Sequence, residues 1–349
     1  MMRKKLFMTV LSCAILLSGC SEGTPVLETT EAETADPLVL AYSEEKYKAP
    51  AEYRYNEAGQ LVRKIYLGDG QEEEYSYHSN GALQKVTVLF HGETESVVEY
   101  DTMGNPVRSL VADGTGELVV ESEYTNSYDA QGRLTQAAQL TVYDYLEEET
   151  VYWVQQDSYV YFDDGGYEHD WYCYYYYEDG ETVPHCHWVK RYNAQGILVK
   201  GLQDLDNIHP MMECLEYQTD AYGNPVTGIW TYQYGDSESG SDYICENVYT
   251  TDGKLSQVRE YAARYGQPDW PEKGEAAMTL ESTREYTYDA EGRMIREVIT
   301  WPDTDYMVIH IWEYDQWGNL TYFRDDPEDE FPDEMEGRYE YKPLSDCLE

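Results

Sequence analysis

One short segment of the chain concentrates the side chains that are most able to do chemistry. Residues 172–188 read YCYYYYEDGETVPHCHW and hold two cysteines, two histidines and a run of tyrosines. Thiolates and imidazoles are the usual ligands of zinc, and paired cysteines in an exported protein can form a disulfide. Two kinds of site are therefore open here, a covalent link and a metal centre.

The spacing of the two cysteines favours the covalent link. If Asp179-Gly180 is a two-residue hairpin loop, Cys173 lies opposite Cys186 on the neighbouring strand. Counting outward from the loop places this pair at a non-hydrogen-bonded position, where antiparallel strands come closest and a cross-strand disulfide fits. Pro184 falls at such a position too, so its missing N–H costs no bond within the hairpin. We predict a Cys173–Cys186 disulfide, with reduced thiols as the alternative.

The two histidines of this segment are a weaker signal. His185 and His187 are two residues apart, so on a strand both side chains point to one face, which is predicted to be opposite the cysteines. Such a pair can ligate zinc or copper, but no third ligand is evident in the sequence. An ordinary polar face is the better interpretation. We predict neither a metal nor any other cofactor.

Tryptophans supply a second group of candidate contact residues. The chain has 37 tyrosines and 8 tryptophans, and most of them follow the alternation of sheet positions, which predicts that they pack on one face of a sheet. Trp301 stands in a Trp-Pro turn and Trp317 inside a glycine turn, so neither follows the alternation. These two residues are predicted to be exposed ligand contacts.

Motifs of the common enzyme and nucleotide-binding classes are missing from the sequence. There is no GxSxG, HExxH, CxxC, phosphate-binding glycine loop or EF-hand loop. With 68 acidic residues, close carboxylate pairs arise by chance and identify no acid/base dyad. The formal net charge of −44 repels phosphate backbones, which argues against nucleic-acid binding. We predict that the protein is not an enzyme.

A glycine-centred repeat must position all of these side chains. The clearest copy is YTYDAEGRM, residues 286–294, and tyrosine stands four residues before the glycine in nine of ten copies. Each copy predicts a hairpin with glycine in the left-handed position of its turn, and in seven of the ten copies Asp or Asn begins this type I turn. The ten glycines are Gly59, Gly81, Gly104, Gly132, Gly165, Gly196, Gly223, Gly253, Gly292 and Gly318.

Two strands per copy predict an all-β fold of tandem hairpins. The tyrosine before each turn should face the apolar residue that follows the glycine, as Tyr55 faces Leu61, and one face of the sheet should be apolar and aromatic. About twenty strands in up-and-down order should form one long, twisted or spiralling antiparallel meander.

Four of the copies carry a resemblance to a known family. YDAQGRL (128–134), YNAQGIL (192–198), YDAEGRM (288–294) and YDQWGNL (314–320) resemble the YD repeat of the Rhs family. That family includes large bacterial toxins and related surface proteins whose repeats form a spiralling sheet, sometimes a shell around a toxic domain. The resemblance implies the fold and an extracytoplasmic interaction role, and it transfers no catalytic residue. Ten copies are too few to enclose a toxin, and we expect no toxin domain.

The amino-terminal residues have the pattern of an export signal. Basic residues precede an apolar run that is too short for a permanent membrane span, and Leu17-Ser18-Gly19-Cys20 resembles a bacterial lipobox. We predict that residues 1–19 are removed and that Cys20 is lipidated. Residues 20–37 are predicted to be a disordered tether, 38–343 the repeat array and 344–349 a C-terminal tail. The acidic segment 325–336 is predicted to be a solvated linker in preference to a calcium site.

Three functions are consistent with these features. The favoured one is a lipid-anchored, extracytoplasmic scaffold that presents its sheet to another protein or to the cell wall without catalysis. A glycan-binding surface lipoprotein that uses exposed tyrosine and tryptophan is the first alternative, and an envelope hydrolase of unknown type is the second. All three place the protein in the cell envelope, with the membrane contacted through the lipid.

Overall fold

Antiparallel β-strands make up almost all of the described chain. The computed structural model describes residues 36–146, 149–177, 179–205, 211–234, 237–267, 270–304, 306–327 and 336–349. Within these ranges the chain forms 22 strands and one short 3₁₀ helix, Leu344–Cys347. Residues Pro37–Glu349 form one unit.

The strands follow one another with short connections. The first eleven are β1 Leu38–Glu45, β2 Ala51–Tyr55, β3 Leu61–Tyr66, β4 Gln71–Tyr77, β5 Leu83–Phe90, β6 Glu93–Tyr100, β7 Pro106–Ala112, β8 Leu118–Tyr128, β9 Leu134–Leu146, β10 Glu149–Tyr161 and β11 Tyr167–Tyr177. The others are β12 Thr182–Tyr192, β13 Leu198–Leu205, β14 Met211–Thr219, β15 Pro225–Tyr234, β16 Ser237–Tyr249, β17 Leu255–Tyr265, β18 Thr279–Tyr288, β19 Met294–Thr300, β20 Met307–Tyr314, β21 Leu320–Pro327 and β22 Glu336–Pro343.

Glycine turns join the strands as the repeat predicts. In all ten copies the glycine N–H donates to the carbonyl three residues earlier, and the glycine has a positive φ, which costs glycine little. Gly116 and Gly180 make the same turn, so the described residues contain twelve of them. The two-residue loop predicted at Asp179-Gly180 is wrong, because the Tyr177 N–H pairs with the Glu181 carbonyl around a longer turn.

The first residue of the turn explains the preference for Asp and Asn. The Oδ1 atom of Asp101 accepts the N–H groups of Met103 and Asn105 at 2.9 and 3.0 Å. Burial alone would raise the pKa of this carboxyl, but hydrogen bonds from Tyr128 and from the turn backbone hold it below its usual value. The turn therefore uses the carboxylate as a fixed acceptor.

The strand registers confirm the predicted faces. The tyrosine before the turn pairs with the apolar residue after it, as in Tyr55 with Leu61 and Tyr288 with Met294. When pairing partners are traced from strand to strand, the aromatic residues six positions before the turn glycines all lie on a single face of the sheet. These are Tyr53, Tyr75, Tyr159, Tyr217, Tyr286 and Trp312.

The sheet closes on itself. Every strand pairs antiparallel with the next strand in the chain, and β22 pairs with β1, with Tyr339 opposite Ser43 and Pro343 opposite Leu38. The antiparallel meander is confirmed, but the expectation of one long, twisted or spiralling sheet is wrong, because the 22 strands form a closed barrel. Closure pairs the two edges that an open sheet would leave exposed.

The C-terminal residues pack beside this closing seam. The Leu344 N–H donates to the Pro37 carbonyl at 2.8 Å, and the Glu349 N–H donates to the Tyr55 carbonyl at 3.1 Å. Leu344 and Cys347 are buried with Ala41 and Tyr55 in a small hydrophobic cluster. The segment predicted to be a tail thus covers the start of the first repeat.

The two faces of the barrel differ in burial. We call the aromatic face the inner face, because side chains converge on the concave side of a closed sheet and this face holds most of the buried residues. The buried inner residues include Ser43, Ala51, Ser109, Ser122, Val151, Cys173, Ser239, Ser241, Ser282 and Glu297. The outer face of β9–β16 exposes aliphatic residues instead, namely Leu140, Val142, Val160, Leu202, Ile229, Ile244 and Val248.

Tyrosine hydroxyls connect successive repeats. The Tyr77 hydroxyl donates to the Leu61 carbonyl at 2.6 Å, and the Tyr288 hydroxyl donates to the Leu255 carbonyl at 2.7 Å across a later repeat boundary. Where a repeat contains Gly-Asn-Pro, the following tyrosine binds the turn carboxylate instead, as Tyr128 binds Asp101. The repeated tyrosine therefore holds neighbouring hairpins together.

Candidate functional site

The largest group of neighbouring aromatic contacts lies on the inner face of β10, β11 and β12. Trp171 and Trp188 are stacked with ring centroids 5.5 Å apart, and Tyr167 stacks on Tyr192 at 4.8 Å. Near the far end of β11, Trp153 meets Tyr175 edge-on at 5.0 Å. We call this group the aromatic strip: Trp153, Tyr159, Tyr161, Tyr167, His169, Trp171, Tyr175, Trp188 and Tyr192. Each of these side chains is half-buried, so solvent still reaches it.

A histidine–carboxylate pair lies at the middle of the strip. His169 Nε2 is 2.6 Å from Asp157 Oδ1, and both side chains are largely buried, at 17% and 13% exposure. Tyr159 stacks on the imidazole at 4.3 Å, and Trp188 meets its edge at 4.6 Å. The Gln155 amide donates to the second carboxylate oxygen at 3.1 Å. The pair is therefore fixed in orientation among the rings.

The two predicted cysteines lie within the strip. Cys173 is opposite Cys186, as predicted, although by a different route. The longer turn shifts the register by one residue, and a β-bulge between Cys173 and Tyr174 shifts it back. Both residues are thiols in the structure, and burial together with the neighbouring Cys186 raises the pKa of Cys173 to about 12. The disulfide itself stays a prediction.

The bulge separates the two predicted histidines. His187 lies opposite Tyr172 on the outer face, where its Nε2 atom is 2.8 Å from Asp170. His185 is the extra residue of the bulge and turns to the inner face, 5.2 Å from the Trp153 ring and 5.6 Å from the Tyr175 ring. The prediction that both histidines share a face is wrong, so the proposed pair of metal ligands is not formed. Among the described residues, no group of three His, Cys, Asp or Glu side chains is arranged to hold a metal ion.

The two predicted contact tryptophans lie far apart. Trp317 is 67% exposed in the turn after β20, whereas Trp301 is half-buried against Tyr306, with ring centroids 5.3 Å apart, in the turn before β20. Eight residues of strand separate the two turns, about 26 Å. The exposure predicted for Trp317 is confirmed. The two residues cannot contribute to one small site.

A second histidine cluster lies on the inner face of β19–β21. His310 Nδ1 is 2.9 Å from Glu297, and His310 Nε2 is 3.4 Å from Asp325. Trp312 and Phe323 flank the imidazole. Burial raises the pKa of Asp325, His310 opposes that rise and Glu297 adds to it. The cluster couples one histidine to two carboxylates on three strands.

Sequence reasoning missed the central members of both histidine clusters. His169 and Asp157 lie twelve positions apart, and their proximity depends on the β10–β11 register. Asp325 was assigned to a solvated acidic linker, but it is opposite His310 on the neighbouring strand. Strand alternation in β10 and β11 was the available signal, since it places Asp157, Tyr159, His169 and Trp171 on one face.

The predicted membrane anchor lies outside the described residues. Cys20 and the signal sequence 1–19 fall in a range for which nothing is described, and so does most of the tether. Within the described ranges, no helix is both long and apolar enough to cross a membrane. Lipidation at Cys20 stays a prediction.

Comparisons with known proteins leave the family open. No family model and no curated protein matches the chain. Among solved structures, the TcdB2-TccC3 complex without its hypervariable C-terminal region aligns at 14% identity and a TM-score of 0.19, over 81% of this chain and 19% of that one. A porin-like protein from Bacteroides uniformis aligns at 12% identity and a TM-score of 0.21, over 88% of this chain and 98% of that one. Neither alignment carries an argument about function.

Proposed function

We propose that the chain is a lipid-anchored, extracytoplasmic binding protein of the YD-repeat type that acts as a scaffold at the cell surface without catalysis. The closed sheet supports a binding role, because it offers two rims and two faces and leaves no strand edge for pairing with other chains. The repeat turns and the inter-repeat tyrosines support the YD-repeat assignment.

The aromatic strip is the observation that carries this proposal. Buried aromatic rings in a protein core are covered on all sides, but the rings of the strip are half-exposed on the inner face. Binding sites combine such apolar surfaces with a few fixed polar groups, and here Asp157, His169 and Gln155 are held between the rings. The strip therefore has the composition of a ligand site.

The hydrogen bonds that the polar side chains already make within the protein favour binding over catalysis. The repeated turn carboxylates accept hydrogen bonds from their own backbone, and most of the repeated tyrosine hydroxyls that have a described bond donate to a neighbouring repeat. The His169 ring of the histidine–carboxylate pair stacks on Tyr159 and meets Trp188 edge-on, and Gln155, Trp171 and Lys190 are the other inner-face neighbours of the pair. This pair therefore orients a ligand.

Membrane fractionation tests the anchored location. The wild-type chain, expressed in its own cells and fed radiolabelled palmitate, should be labelled and should sediment with membranes. Cys20→Ser should remove the label and release the protein or leave an unprocessed precursor. An unlabelled wild-type protein in the cytosolic fraction would contradict the proposal.

An activity assay tests the absence of catalysis. Purified protein incubated with cell-envelope polysaccharide should release no new reducing ends. Release that disappears in either Asp157→Asn or Glu297→Gln would instead establish the hydrolase alternative, because each carboxylate belongs to one of the two separate inner-face histidine clusters.

A further inference from the structure

We propose that the aromatic strip binds a linear, uncharged glycan chain along the inner face of β10–β12. This inference rests on the proposed binding function and names its ligand class. It assigns the ligand to a different place from Trp301 and Trp317, which lie at opposite ends of β20.

The arrangement of the rings matches the shape of a sugar chain. A pyranose ring has one face of C–H groups that packs on an aromatic ring, and its hydroxyls project from the edge. The rings of the strip lie in successive rows, with Tyr167 beside Tyr192, Trp171 beside Trp188, and Trp153 beside Tyr175, and each ring remains half-exposed beside its row partner. Successive rows are four positions apart on β11, about 13 Å, so a chain of several sugars would reach from one row to the next.

The length of the strip favours a chain over a single sugar. Tyr167 and Tyr175 are eight positions apart on β11, which corresponds to about 27 Å of strand. One sugar would cover one row of rings and leave the other rows exposed. A linear oligosaccharide would cover several rows, and its affinity should therefore rise with the number of sugars.

The polar groups of the strip fit hydroxyl recognition. Asp157 and His169 bind each other, so their remaining hydrogen-bonding atoms are held in position for a ligand hydroxyl. Lys190 lies 4.4 Å from the centre of the Trp188 ring, where the aromatic face stabilises the ammonium group. One carboxylate and one ammonium leave the strip without a dominant charge.

The charge of the whole chain argues for an uncharged ligand. A net charge of −44 repels polyanionic polysaccharides at low ionic strength. Acidic glycans would have to approach against this field, whereas neutral glycans would not.

Titration with defined oligosaccharides tests the inference. The mature chain would be titrated with cellohexaose, maltohexaose and chitohexaose, with intrinsic tryptophan fluorescence and calorimetry as readouts. We expect at least one probe to bind, with affinity falling as the probe is shortened to a disaccharide. Trp171→Ala and Trp188→Ala should each weaken binding at least tenfold, and the exposed Trp317→Ala should leave it unchanged.

Hydrogen exchange locates the site without any substitution. A bound probe should protect β10–β12 and not the turn that contains Trp317, which decides the question if the alanine variants fail to fold. Protection elsewhere, or binding lost only in Trp317→Ala, would overturn the inference. Failure of every neutral probe would also overturn it, yet a palmitate-labelled, membrane-bound wild type would still support the anchored role.

Discussion

At the scale of single residues, the most reactive side chains of the repeat have structural roles. Asp101 accepts two backbone N–H groups within its turn, and the Tyr128 hydroxyl binds the same carboxylate from the next repeat. Asp220 and Tyr249 repeat this arrangement one Gly-Asn-Pro copy later. The tyrosine and aspartate side chains of the motif look reactive in the sequence, but their hydrogen bonds connect neighbouring hairpins.

Removing the Tyr128 hydroxyl should weaken one of these connections between hairpins. Tyr128→Phe deletes a bond to the Asp101 carboxylate and leaves the Asn105 amide without its partner at 2.9 Å. We expect a loss of about 1–2 kcal/mol in unfolding free energy, measured by urea titration of tryptophan fluorescence. Tyr222→Phe, at a largely exposed tyrosine, is the control and should change stability by less than about 0.5 kcal/mol. Equal losses of unfolding free energy in the two variants would contradict a stabilising role for the Tyr128–Asp101 hydrogen bond.

Acid should destabilise the barrel through the same carboxylates. Hydrogen bonds hold the pKa values of Asp101 and Asp220 below the usual value despite partial burial. Their stabilising contribution is therefore complete above the unfolded pKa of about 3.9 and is lost as the pH falls through the lower folded value. Thermal melts between pH 7 and 2 should show the decline setting in at about pH 4. Asp101→Asn and Asp220→Asn should each make it shallower, and slopes parallel to wild type would rule out this cause.

At the scale of elements, the turns could be predicted and the bulges could not. In seven of the ten copies an Asp or Asn stands three residues before the glycine and specifies the hydrogen bonds of its own turn, so these hairpins follow from local chemistry. Gly116 and Gly180 make the same turn, although Ala112 stands in place of the tyrosine before Gly116 and the sequence predicts a two-residue loop at Gly180. The bulge that turns His185 inward depends on packing between strands, and no local signal marks it.

The β11–β12 hairpin gives a direct test of its predicted link. Under oxidising conditions Cys173 and Cys186 should join, because they are cross-strand partners. Mass spectrometry of the intact mature chain should show the loss of two hydrogen atoms, and a disulfide closing this short loop should stabilise the protein by about 3 kcal/mol. Cys173→Ser should abolish both effects. Two alkylatable thiols in this hairpin after oxidation would refute the link.

At the scale of the whole molecule, the closure of the sheet into a barrel is the feature that could not be predicted from the sequence. Ser43 and Tyr339 are nearly three hundred residues apart, and their pairing depends on twist and curvature summed over 22 strands. The face of each aromatic residue could be predicted from alternation. Whether that face becomes the inside of a barrel could not be predicted. The histidine–carboxylate clusters of the inner face were missed because they depend on the registers of neighbouring strands.

Cross-linking of the closing seam tests the central claim, that the repeats form a closed barrel with an inner face. In a mature chain whose other cysteines are replaced by serine, Ser43→Cys and Tyr339→Cys would be combined and mildly oxidised. The barrel predicts rapid, near-complete intramolecular disulfide formation, read by mass and by mobility on a non-reducing gel. Ser43→Cys combined with Ser109→Cys, an inner-face residue on the distant strand β7, should stay reduced. A Ser43/Tyr339 pair that also stays reduced would contradict closure and favour an open sheet.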